Sequence, residues 1–501
     1  MLLLGLDIGS SSVKAALVDG HARRTLAAAQ SPDTEMAIAA PRPGWAEQSP
    51  EMWWENVRRA IQKTLAAAGA DPADIGGIGI SYQMHGLVCL DRTGQPLRPA
   101  IIWCDSRAVD IGNQAFEKLG ADWCLWHLLN SPGNFTASKL AWVREHEPDV
   151  FSKIWRIGLP GDYIAGRMTG EFSTTVSGLS EGIFWDFRES QPAQPLLDLY
   201  KISPEMLAPI VPTFGEQGKL TASAAAELGL KPGTPVAYRA GDQPNNALSL
   251  NVLQPGEVAA TGGTSGVVYG VADAPVFDPA GRVNGFAHVN HEAAAPRIGV
   301  LLCINGAGSL YRWVRQNLPG ADTPYSNMEQ AAAAIPPGAD GLTMLPFGNG
   351  AERMLGNAAP GASLLHLDLN RHERAHIYRA ALEGIAFAFV HGMEVFGEMG
   401  MATAKIRVGT GNLFESGVFA RTISSLTGAQ IEMLETNGAV GAAFGAGHGV
   451  GFFATPGEGL AGLRRVKIYE PERASELCRE AYGRWLFDLK KLVGLGTDLN
   501  G

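Results

Sequence analysis

Apolar positions at the start of the chain form two short runs that a polar turn separates. Residues 2–8 (LLLGLDI) and 13–18 (VKAALV) are apolar apart from Asp7, Gly5 and Lys14. The turn between them holds one glycine and three hydroxyl residues: Gly9, Ser10, Ser11 and Ser12. This pattern predicts a β-hairpin. The pattern recurs at 257–271 (EVAATGGTSGVVYGV), so we expect two lobes of related structure.

Strand-like and helix-like segments alternate through the rest of the first half. A helix is predicted over 52–68, with Pro50 near its start and Gly69 after it, and strands are predicted over 75–81, 98–107 and 234–240. We expect the less regular residues 130–235 to be an inserted substrate region. The polar segment 241–246 (GDQPNN) is interpreted as the crossing between the lobes.

The second half continues the alternation and predicts an α/β fold. The longest predicted helix has Asn370 as its N-cap and Glu373 three residues later, and it stops at Gly400. A strand over 405–412, a helix over 415–426 closed by Gly428, and an amphipathic helix over 470–494 follow. The predicted domains are residues 1–245 and 246–501.

Composition limits the classes of function. A chain of 501 residues exceeds the usual size of one core, and a net charge of −10 without a Lys/Arg run argues against nucleic acid and anionic membranes as partners. Five widely spaced cysteines without a CxxC predict neither a disulfide framework nor a zinc site, and fit a reducing cytoplasm. No signal peptide is expected at the N-terminus. The uncharged stretch 438–457 is too rich in glycine, and interrupted by His448, for a membrane span.

The two glycine-hydroxyl turns are candidate phosphate sites, since such turns direct N–H and O–H groups to one point. Asp7 then lies where a Mg²⁺ ion on those phosphates needs an oxygen partner. No GxxxxGK[ST] loop occurs, and GEGLAG at 457–462 follows no strand and is taken as a chance match. The candidate ATP residues are Ser10, Ser11, Ser12, Lys14, Gly263, Thr264, Asn305, Gly308, Gly409, Gly411 and Asn412.

Two of these positions have alternatives that the residues leave open. GTGN at 409–412 follows a predicted strand, so Asn412 could hydrogen-bond an adenosine edge, or the segment is only a tight turn into a helix. The small-residue segment 304–309 is either a similar surface or a site of helix packing.

The candidate substrate residues follow predicted strands. Asp242, beside Gln243, could accept a proton from a sugar hydroxyl, and its alternative role is to cap a turn. His85, in QMHG with Met84, could bind a polyol or be an ordinary histidine at a strand end. Trp103 could offer its ring face to a sugar. Asp105, which lies near Arg107 in the sequence, could offer a charged hydrogen-bond partner.

Taken together, these segments resemble the FGGY family of carbohydrate kinases, and most closely its members that phosphorylate xylulose. The resemblance covers nearly the whole chain. It rests on DIGSSSVK (7–14), WAEQSPEMWW (45–54), QMHG (83–86), IIWCDSR (101–107), SKLAWVREHEP (138–148), LPGDYIAGRMTGE (159–171), AGDQ (240–243), GGTSG (262–266), ALEG (381–384) and VGTGN (408–412).

The resemblance implies two ribonuclease-H-like lobes, as in actin- and hexokinase-type ATPases, with ATP, Mg²⁺ and sugar in the cleft between them. It implies that Asp242 is the catalytic base and that Asp7 holds Mg²⁺ through water, with Asp242 as a second carboxylate near the ion. It places Gly263 and Thr264 on the phosphates, and Gly411 and Asn412 near adenosine. The sugar then lies against Met84, His85, Asp105 and Asp242.

The expected activity is ATP-dependent phosphorylation of a ketopentose, with D-xylulose as the leading candidate. The expected location is the cytoplasm. Another sugar or polyol (L-xylulose, ribulose, glycerol) is the alternative, as is a non-catalytic sugar sensor or filament of the same fold. A regulator would carry a helix-turn-helix or basic segment, and the sequence has neither. The oligomeric state stays open, with a homodimer as one option. The chain departs from the family pattern at Cys104, Asn134, Tyr238-Arg239, His366 and 351–355 (AERML).

Overall fold

Two β-sheets, one in each half of the chain, organise the fold. The structure is a computed structural model, and it describes residues 1–318 and 322–494. The strands of the first half are β1 (Leu2–Ile8), β2 (Val13–Asp19), β3 (Arg24–Ser31), β4 (Glu47–Gln48), β5 (Ile75–Tyr82), β6 (Val88–Leu90), β7 (Ala100–Ile101), β8 (Arg156–Gly158), β9 (Trp185–Asp186), β10 (Gln191–Pro192) and β11 (Val236–Gly241). Its helices are α1 (Pro50–Ala68), α2 (Val109–Leu119), α3 (Ala121–Leu128), α4 (Thr136–His146), α5 (Pro148–Phe151), α6 (Pro160–Thr169), α7 (Val176–Glu181), α8 (Gln194–Tyr200), α9 (Ala222–Leu228) and α10 (Asp242–Ser249).

The second half has the same kinds of element. Its strands are β12 (Glu257–Gly262), β13 (Gly266–Ala272), β14 (Asn284–Ala287), β15 (Ile298–Ile304), β16 (Thr343–Phe347), β17 (Gly361–Leu365), β18 (Lys405–Gly409), β19 (Gln430–Leu434) and β20 (Arg465–Tyr469). Its helices are α11 (Ala307–Asn317), α12 (Tyr325–Ala334), α13 (Arg374–Glu398), α14 (Gly417–Thr427), α15 (Gly438–Gly449) and α16 (Glu476–Val493).

The two sheets share one topology. The first has the order β11-β5-β1-β2-β3, in which β1, β2 and β3 pair antiparallel and β1, β5 and β11 pair parallel. The second contains β19-β18-β12-β13-β15 with the same directions, extended by β14 and β20. The repeated order confirms the predicted pair of ribonuclease-H-like lobes. The predicted division after residue 245 falls inside α10, and that domain boundary stays a prediction.

Strand β1 is buried along most of its length because both faces of its sheet are covered. Leu4, Leu6 and Ile8 belong to the apolar cluster that α1 closes, whereas Leu3 belongs to the cluster around α15. A strand that is covered on both faces is expected to be a continuous apolar run, as this one is. The run LLLGLDI therefore encodes a central strand.

The helix α15 comes from the second half of the chain and packs on the sheet of the first. Its backbone lies so close to β1 and β5 that a Cβ on Gly5 would stand 1.9 Å from the carbonyl oxygen of Ala439, and one on Gly79 would stand 1.9 Å from that of Ala442. Glycine on the strands is therefore what permits the contact. The uncharged segment that we predicted not to cross a membrane is the helix that joins the two lobes.

Among the residues that the structure describes, one helix, α13, is long and apolar enough to cross a membrane by length and composition, with a mean hydropathy of 1.3 over its most apolar window. Within the protein, 83% of that window is buried. Its side chains belong to the largest apolar cluster, beside β13 and β16. We therefore assign α13 as a core helix.

Several predicted elements differ from the structure. The strand predicted over 98–107 is only Ala100–Ile101, because the chain turns after Ile102. Helix α13 has Glu373 rather than Asn370 as its N-cap. In the segment 241–246, Gly241 ends β11 and residues 242–246 begin α10. Residues 130–235 are not a separate insertion, because α6 and α9 pack in the core of the first lobe.

The close contact of α15 with β5 predicts that Gly79→Ala destabilises the protein. The added Cβ would overlap the Ala442 carbonyl, and overpacking of this kind costs about 1–3 kcal/mol or more in the free energy of unfolding. Gly397→Ala, in an exposed turn of α13 with no atom within 4 Å of the new Cβ, is the matched control and should be neutral or slightly stabilising. Thermal melts of both variants measure this, and equal melting temperatures would contradict it.

Candidate active site

The first glycine-hydroxyl turn is anchored through its carbonyl groups. Gln48 Nε2 donates to the Ser10 carbonyl at 2.7 Å, and the backbone N–H of Met36 donates to the Ser11 carbonyl at 2.7 Å. The C=O and N–H of a trans peptide point in opposite directions. The N–H groups of Ser11 and Ser12 therefore face away from these anchors, as a phosphate site requires.

Two neighbours of this turn were predicted from the sequence. Trp103 is 53% exposed, and its indole Nε1 donates to Ser10 Oγ at 3.3 Å, so its ring lies beside the turn. Lys14 is exposed on β2, directly opposite Asp7 in the hairpin register. The structure thus brings both side chains to the first hairpin.

The second turn is anchored in the same way, but by a helix. The N–H groups of Gly308 and Ser309, in the first turn of α11, donate to the carbonyls of Gly263 at 3.0 Å and Thr264 at 2.9 Å. Gly308 must lack a side chain there, since a Cβ would lie 2.2 Å from the Gly263 oxygen. The N–H groups of Thr264 and Ser265 are thereby directed away from α11.

A cavity of about 740 Å³ opens beside the second turn. Five of the predicted ATP residues line it, namely Gly263, Thr264, Gly308, Gly411 and Asn412. Its other lining residues are Gly262, Tyr311, Arg312, Tyr325, Ser326, Glu329, Gln330, Leu413, Glu415 and Ser416. A volume of this size is typical of a small-molecule or cofactor site.

Three of the predicted residues have other roles in the structure. Asn305 and Gly409 do not line the cavity. Asn305 Nδ2 instead donates to the carbonyl of Ala351 at 2.7 Å. Asn412 caps the turn that follows it, accepting from Phe414 N at 3.0 Å and donating to Gly409 O at 2.8 Å. The alternative of a tight turn into a helix therefore describes the Asn412 side chain.

The sequence did not predict the aromatic wall of the cavity. Tyr311 on α11 and Tyr325 on α12 stack with ring centroids 5.5 Å apart, and the Arg315 guanidinium lies 4.4 Å from the Tyr325 centroid. These residues are ordinary on their helices, and the rings meet only because α11 and α12 both pack against α13. A planar base could stack on such a surface.

Asp7 and Asp242 lie close together at the ends of β1 and β11. Asp7 Oδ1 accepts a hydrogen bond from Ser81 Oγ at 2.9 Å, and a Cβ on Gly438, the first residue of α15, would be 2.7 Å from Asp7 Oδ2. The N-terminal end of a helix favours a negative charge. Burial, followed by the negative charge of Asp7, raises the pKa of the half-buried Asp242 to about 7.

His85 is held in a left-handed backbone conformation next to this pair. Its φ is 61°, and its N–H donates to Glu181 Oε2 at 2.9 Å. His85 Nδ1 lies 2.9 Å from the carbonyl oxygen of Glu181, which can only accept. Burial, and after it the charge of Lys139, lowers the pKa of His85 to about 3, so the ring is neutral. The Nδ1 atom therefore carries the proton, and Nε2 is an acceptor.

A buried lysine completes the support of His85. Lys139 Nζ donates to the carbonyl of His85 at 2.9 Å and to that of Ile102 at 3.0 Å. Burial lowers the pKa of this fully buried ammonium to about 7. Our sequence analysis missed both Glu181 and Lys139 as site residues, although the SKLAW segment that contains Lys139 was a signal.

Met84 and Gln243 are the remaining predicted sugar residues that the structure brings to this place. Met84 is buried against Gly241, where a Cβ would stand 2.6 Å from Met84 Cγ. Gln243 is half-buried in the first turn of α10, next to Asp242. Both residues therefore lie at the strand-to-helix junction that carries Asp242.

The structure argues against a direct contact between Asp105 and a sugar. Asp105 is fully buried, and its carboxylate accepts from the Arg107 guanidinium at 2.6–2.9 Å and from the Ala46 N–H at 2.6 Å. Asn134, one of the departures from the family pattern, donates to the Asp105 carbonyl. Asp105 therefore fixes the turn that carries Trp103 and Cys104.

A second departure from the pattern has a backbone explanation. His366 adopts a φ of 64°, a conformation that glycine adopts without strain. The histidine is held there by a contact of 2.8 Å between its Nε2 and Asp488 Oδ2 of α16. The His366 side chain therefore contacts α16.

Comparisons with known proteins find a family and relatives that match nearly the whole chain. The FGGY family of carbohydrate kinases matches through its N-terminal domain at residues 2–249 and its C-terminal domain at 258–449. The xylulose kinase of Bacillus subtilis is 29% identical over 99% of this chain and 98% of its own length, and that of Escherichia coli is 28% identical over 97% and 99%. The crystal structure of xylulose kinase from Rhodospirillum rubrum superposes with a TM-score of 0.88 at 29% identity, covering 99% of both chains.

The raised pKa of Asp242 predicts how stability depends on pH. The folded protein holds this proton more tightly than the unfolded chain, so stability falls as pH rises from about 4 to about 7. Asp242→Asn cannot ionise, so it lacks this fall in stability. Its melting temperature should exceed that of the wild type by about 2 °C or more at pH 8, and the difference should be small near pH 4.

Asp33→Asn, whose side chain is 85% exposed, is the control and should show no such growing difference. Melts of the three proteins between pH 4 and pH 8 measure the effect. A constant difference between wild type and Asp242→Asn across that range would contradict the assigned pKa.

Proposed function

Because the chain belongs to the FGGY family of carbohydrate kinases, we propose that it transfers the γ-phosphoryl group of ATP to a ketopentose, D-xylulose first. The observation that carries the proposal is the position of Asp242, which is near Asp7 and follows Gly241, the residue packed against Met84 and Glu181. The relatives named xylulose kinase, which match nearly the full length of the chain, support the choice of sugar.

Asp242 is the proposed general base. A base that works near neutral pH is best served by a pKa near 7, which burial and Asp7 provide. The carboxylate would orient the terminal hydroxyl of the sugar and accept its proton as the oxygen bonds to phosphorus. The P–O bond to ADP breaks in the same step, and ADP leaves with that electron pair.

The two glycine-hydroxyl turns are the proposed phosphate cradle. Their carbonyls are occupied by protein donors, so the N–H groups of Ser11, Ser12, Thr264 and Ser265 remain for phosphate oxygens. Phosphoryl transfer depends on positioning and charge neutralisation more than on covalent chemistry. Fixed N–H groups provide both without reorganisation.

A divalent cation fits the acidic pair. Asp7 and Asp242 are near enough for the charge of Asp7 to raise the Asp242 pKa, and a like-charged pair favours a bound cation. Within the described ranges 1–318 and 322–494, no group of three or more His, Cys, Asp and Glu side chains could hold a metal ion alone. Mg²⁺ would therefore be held by Asp7, through water, and by nucleotide phosphates, and would neutralise phosphate charge.

His85 is the proposed orienting residue for the sugar. Its neutral ring offers Nε2 as an acceptor, so a sugar hydroxyl must donate to it. The exposed face of Trp103 would stack against the carbon skeleton, beside the first phosphate turn. The pocket therefore suits a neutral polyhydroxylated acceptor, and we propose the cytoplasm, where ATP is available, as its location.

An ADP-release assay across a panel of sugars tests the proposed function. The panel contains D-xylulose, L-xylulose, D-ribulose, L-ribulose and glycerol, each with MgATP. We expect the highest kcat/KM with D-xylulose, since the relatives that match over the full chain carry that name. A higher value for another member would reassign the substrate within the kinase class, and no release with any member would contradict the proposal.

Asp242→Asn tests the base directly. The change keeps the size and one hydrogen-bond acceptor but removes basicity, so kcat should fall by about 10²–10⁴, or about 3–5 kcal/mol of barrier. Wild-type turnover should rise with pH through about 7, and the residual turnover of the variant should not.

Sugar affinity by calorimetry, measured without nucleotide, should change little in Asp242→Asn, since Asn still accepts a hydrogen bond. Asp33→Asn is the control for loss of a carboxylate on the same lobe. A turnover above about a tenth of wild type would show that Asp242 only caps the turn.

A further inference from the structure

The guanidinium of Arg353 has no counter-ion of its own. It is half-buried, and its side chain makes no hydrogen bond and no ion pair within the part of the chain that the structure describes. A guanidinium has five N–H donors and stays charged at every physiological pH. Burying such a group without a partner is costly, which makes the position unusual unless a ligand completes it.

Arg353 belongs to the second lobe and lies near His85 of the first. It begins the single turn Arg353–Leu355, which contacts β15, the strand that carries Cys303. Burial lowers the pKa of Arg353, and Cys303 is near enough to oppose that effect. The charge of Arg353 also contributes to lowering the pKa of His85, after burial and the charge of Lys139, so the guanidinium is near that ring. Arg353 is therefore a charged group of the second lobe that lies near the proposed sugar pocket.

The turn that carries Arg353 is fixed to the second phosphate turn. Glu352 is fully buried, and its two carboxylate oxygens lie 3.0 and 3.1 Å from the backbone N of Asn305, which donates to them. Asn305 comes just before α11, whose N–H groups at Gly308 and Ser309 hold the carbonyls of the 263–265 turn. The backbone turn that carries Arg353 is thus tied to the phosphate turn of this lobe.

We infer that Arg353 binds the phosphoryl group during its transfer, opposite the carboxylate that receives the proton; this inference rests on the proposed function. A neutral sugar could donate or accept hydrogen bonds but could not neutralise the charge, whereas phosphoryl oxygens match the paired donors of a guanidinium. Arg353 stays protonated throughout. The P–O bond to ADP breaks, the bond to the sugar oxygen forms, and the proton goes to Asp242.

Kinetics of Arg353→Gln give the first test. The variant should lose at least 10²-fold in kcat, within the range for an arginine that stabilises a transferred phosphoryl group, with sugar affinity in the absence of nucleotide unchanged within threefold. Arg353→Lys, which keeps the charge but not the paired donors, should recover part of the loss. Arg371→Gln, at an exposed arginine of the same lobe, is the control and should leave kcat unchanged.

The second test does not depend on the identity of the sugar. Inorganic phosphate added to the protein with MgADP should raise the melting temperature of the wild type and of Arg371→Gln, and should raise it much less in Arg353→Gln. An equal rise in all three proteins, or a kcat of Arg353→Gln within threefold of wild type, would overturn the inference. A large loss of sugar affinity with normal kcat would show that Arg353 binds the sugar, which also overturns it.

The two proposals fail differently. Suppose that the wild type phosphorylates no member of the sugar panel, while phosphate still stabilises it and does not stabilise Arg353→Gln. In that case the proposed function is wrong, but the anion site at Arg353 is supported. If Arg353→Gln does not fold, as its own melt would show, Arg353→Lys takes its place in both tests and should retain less than a tenth of wild-type kcat. A normal kcat in that variant would then refute the inference.

Discussion

The close approach of α15 to β1 and β5 is the contact on which the site depends. A helix of the second lobe lies on the sheet of the first with its carbonyl oxygens where the Cβ atoms of Gly5 and Gly79 would be. The same contact brings the N-terminal end of α15 to the carboxylate of Asp7. Asn245 of α10 donates to the Gly438 carbonyl at 2.9 Å, which ties in the helix that begins with Asp242. The floor of the cleft is therefore as rigid as the core.

Around that floor, two buried ionisable side chains hold a strained backbone in place. His85 needs φ near 60°, which is unfavourable for a residue with a Cβ. Glu181 holds its N–H and Lys139 holds its carbonyl, so both polar groups of one residue are satisfied by ionisable side chains. Strained residues of this kind are maintained where the surrounding structure fixes them, and they cluster at functional sites. The imidazole is thereby presented in a single tautomer.

The sequence predicted those features that depend on neighbouring residues. Both hairpins, the helix predicted over 52–68 and the position of Asp242 after its strand are local patterns, and the structure has them, with the helix beginning at Pro50. The length of the strand at Ala100–Ile101 was overestimated, because an apolar run does not show where the chain turns.

Features that arise from packing between distant segments could not be predicted. Glu181 is 96 residues from His85, and Tyr325 becomes part of a wall only against Tyr311. Asp105 shows the opposite outcome. The sequence predicted it as a sugar ligand, but its carboxylate already accepts hydrogen bonds from Arg107 and from a backbone N–H. A sequence shows which groups are present, and the fold decides which of them are left without a protein partner.

The duplicated turns have a consequence for how a polyphosphate is held. Each turn is a small nest of N–H groups on its own lobe, and the proposed ligand is a flexible chain that reaches both. Once one turn has captured it, the other meets the remaining phosphates at a high effective concentration, so the second contact is intramolecular. Two individually weak nests can then give firm binding, and a ligand too short to bridge them gains only one. Because the turn is duplicated, the affinity of the protein for a ligand depends on the length of the ligand's phosphate chain.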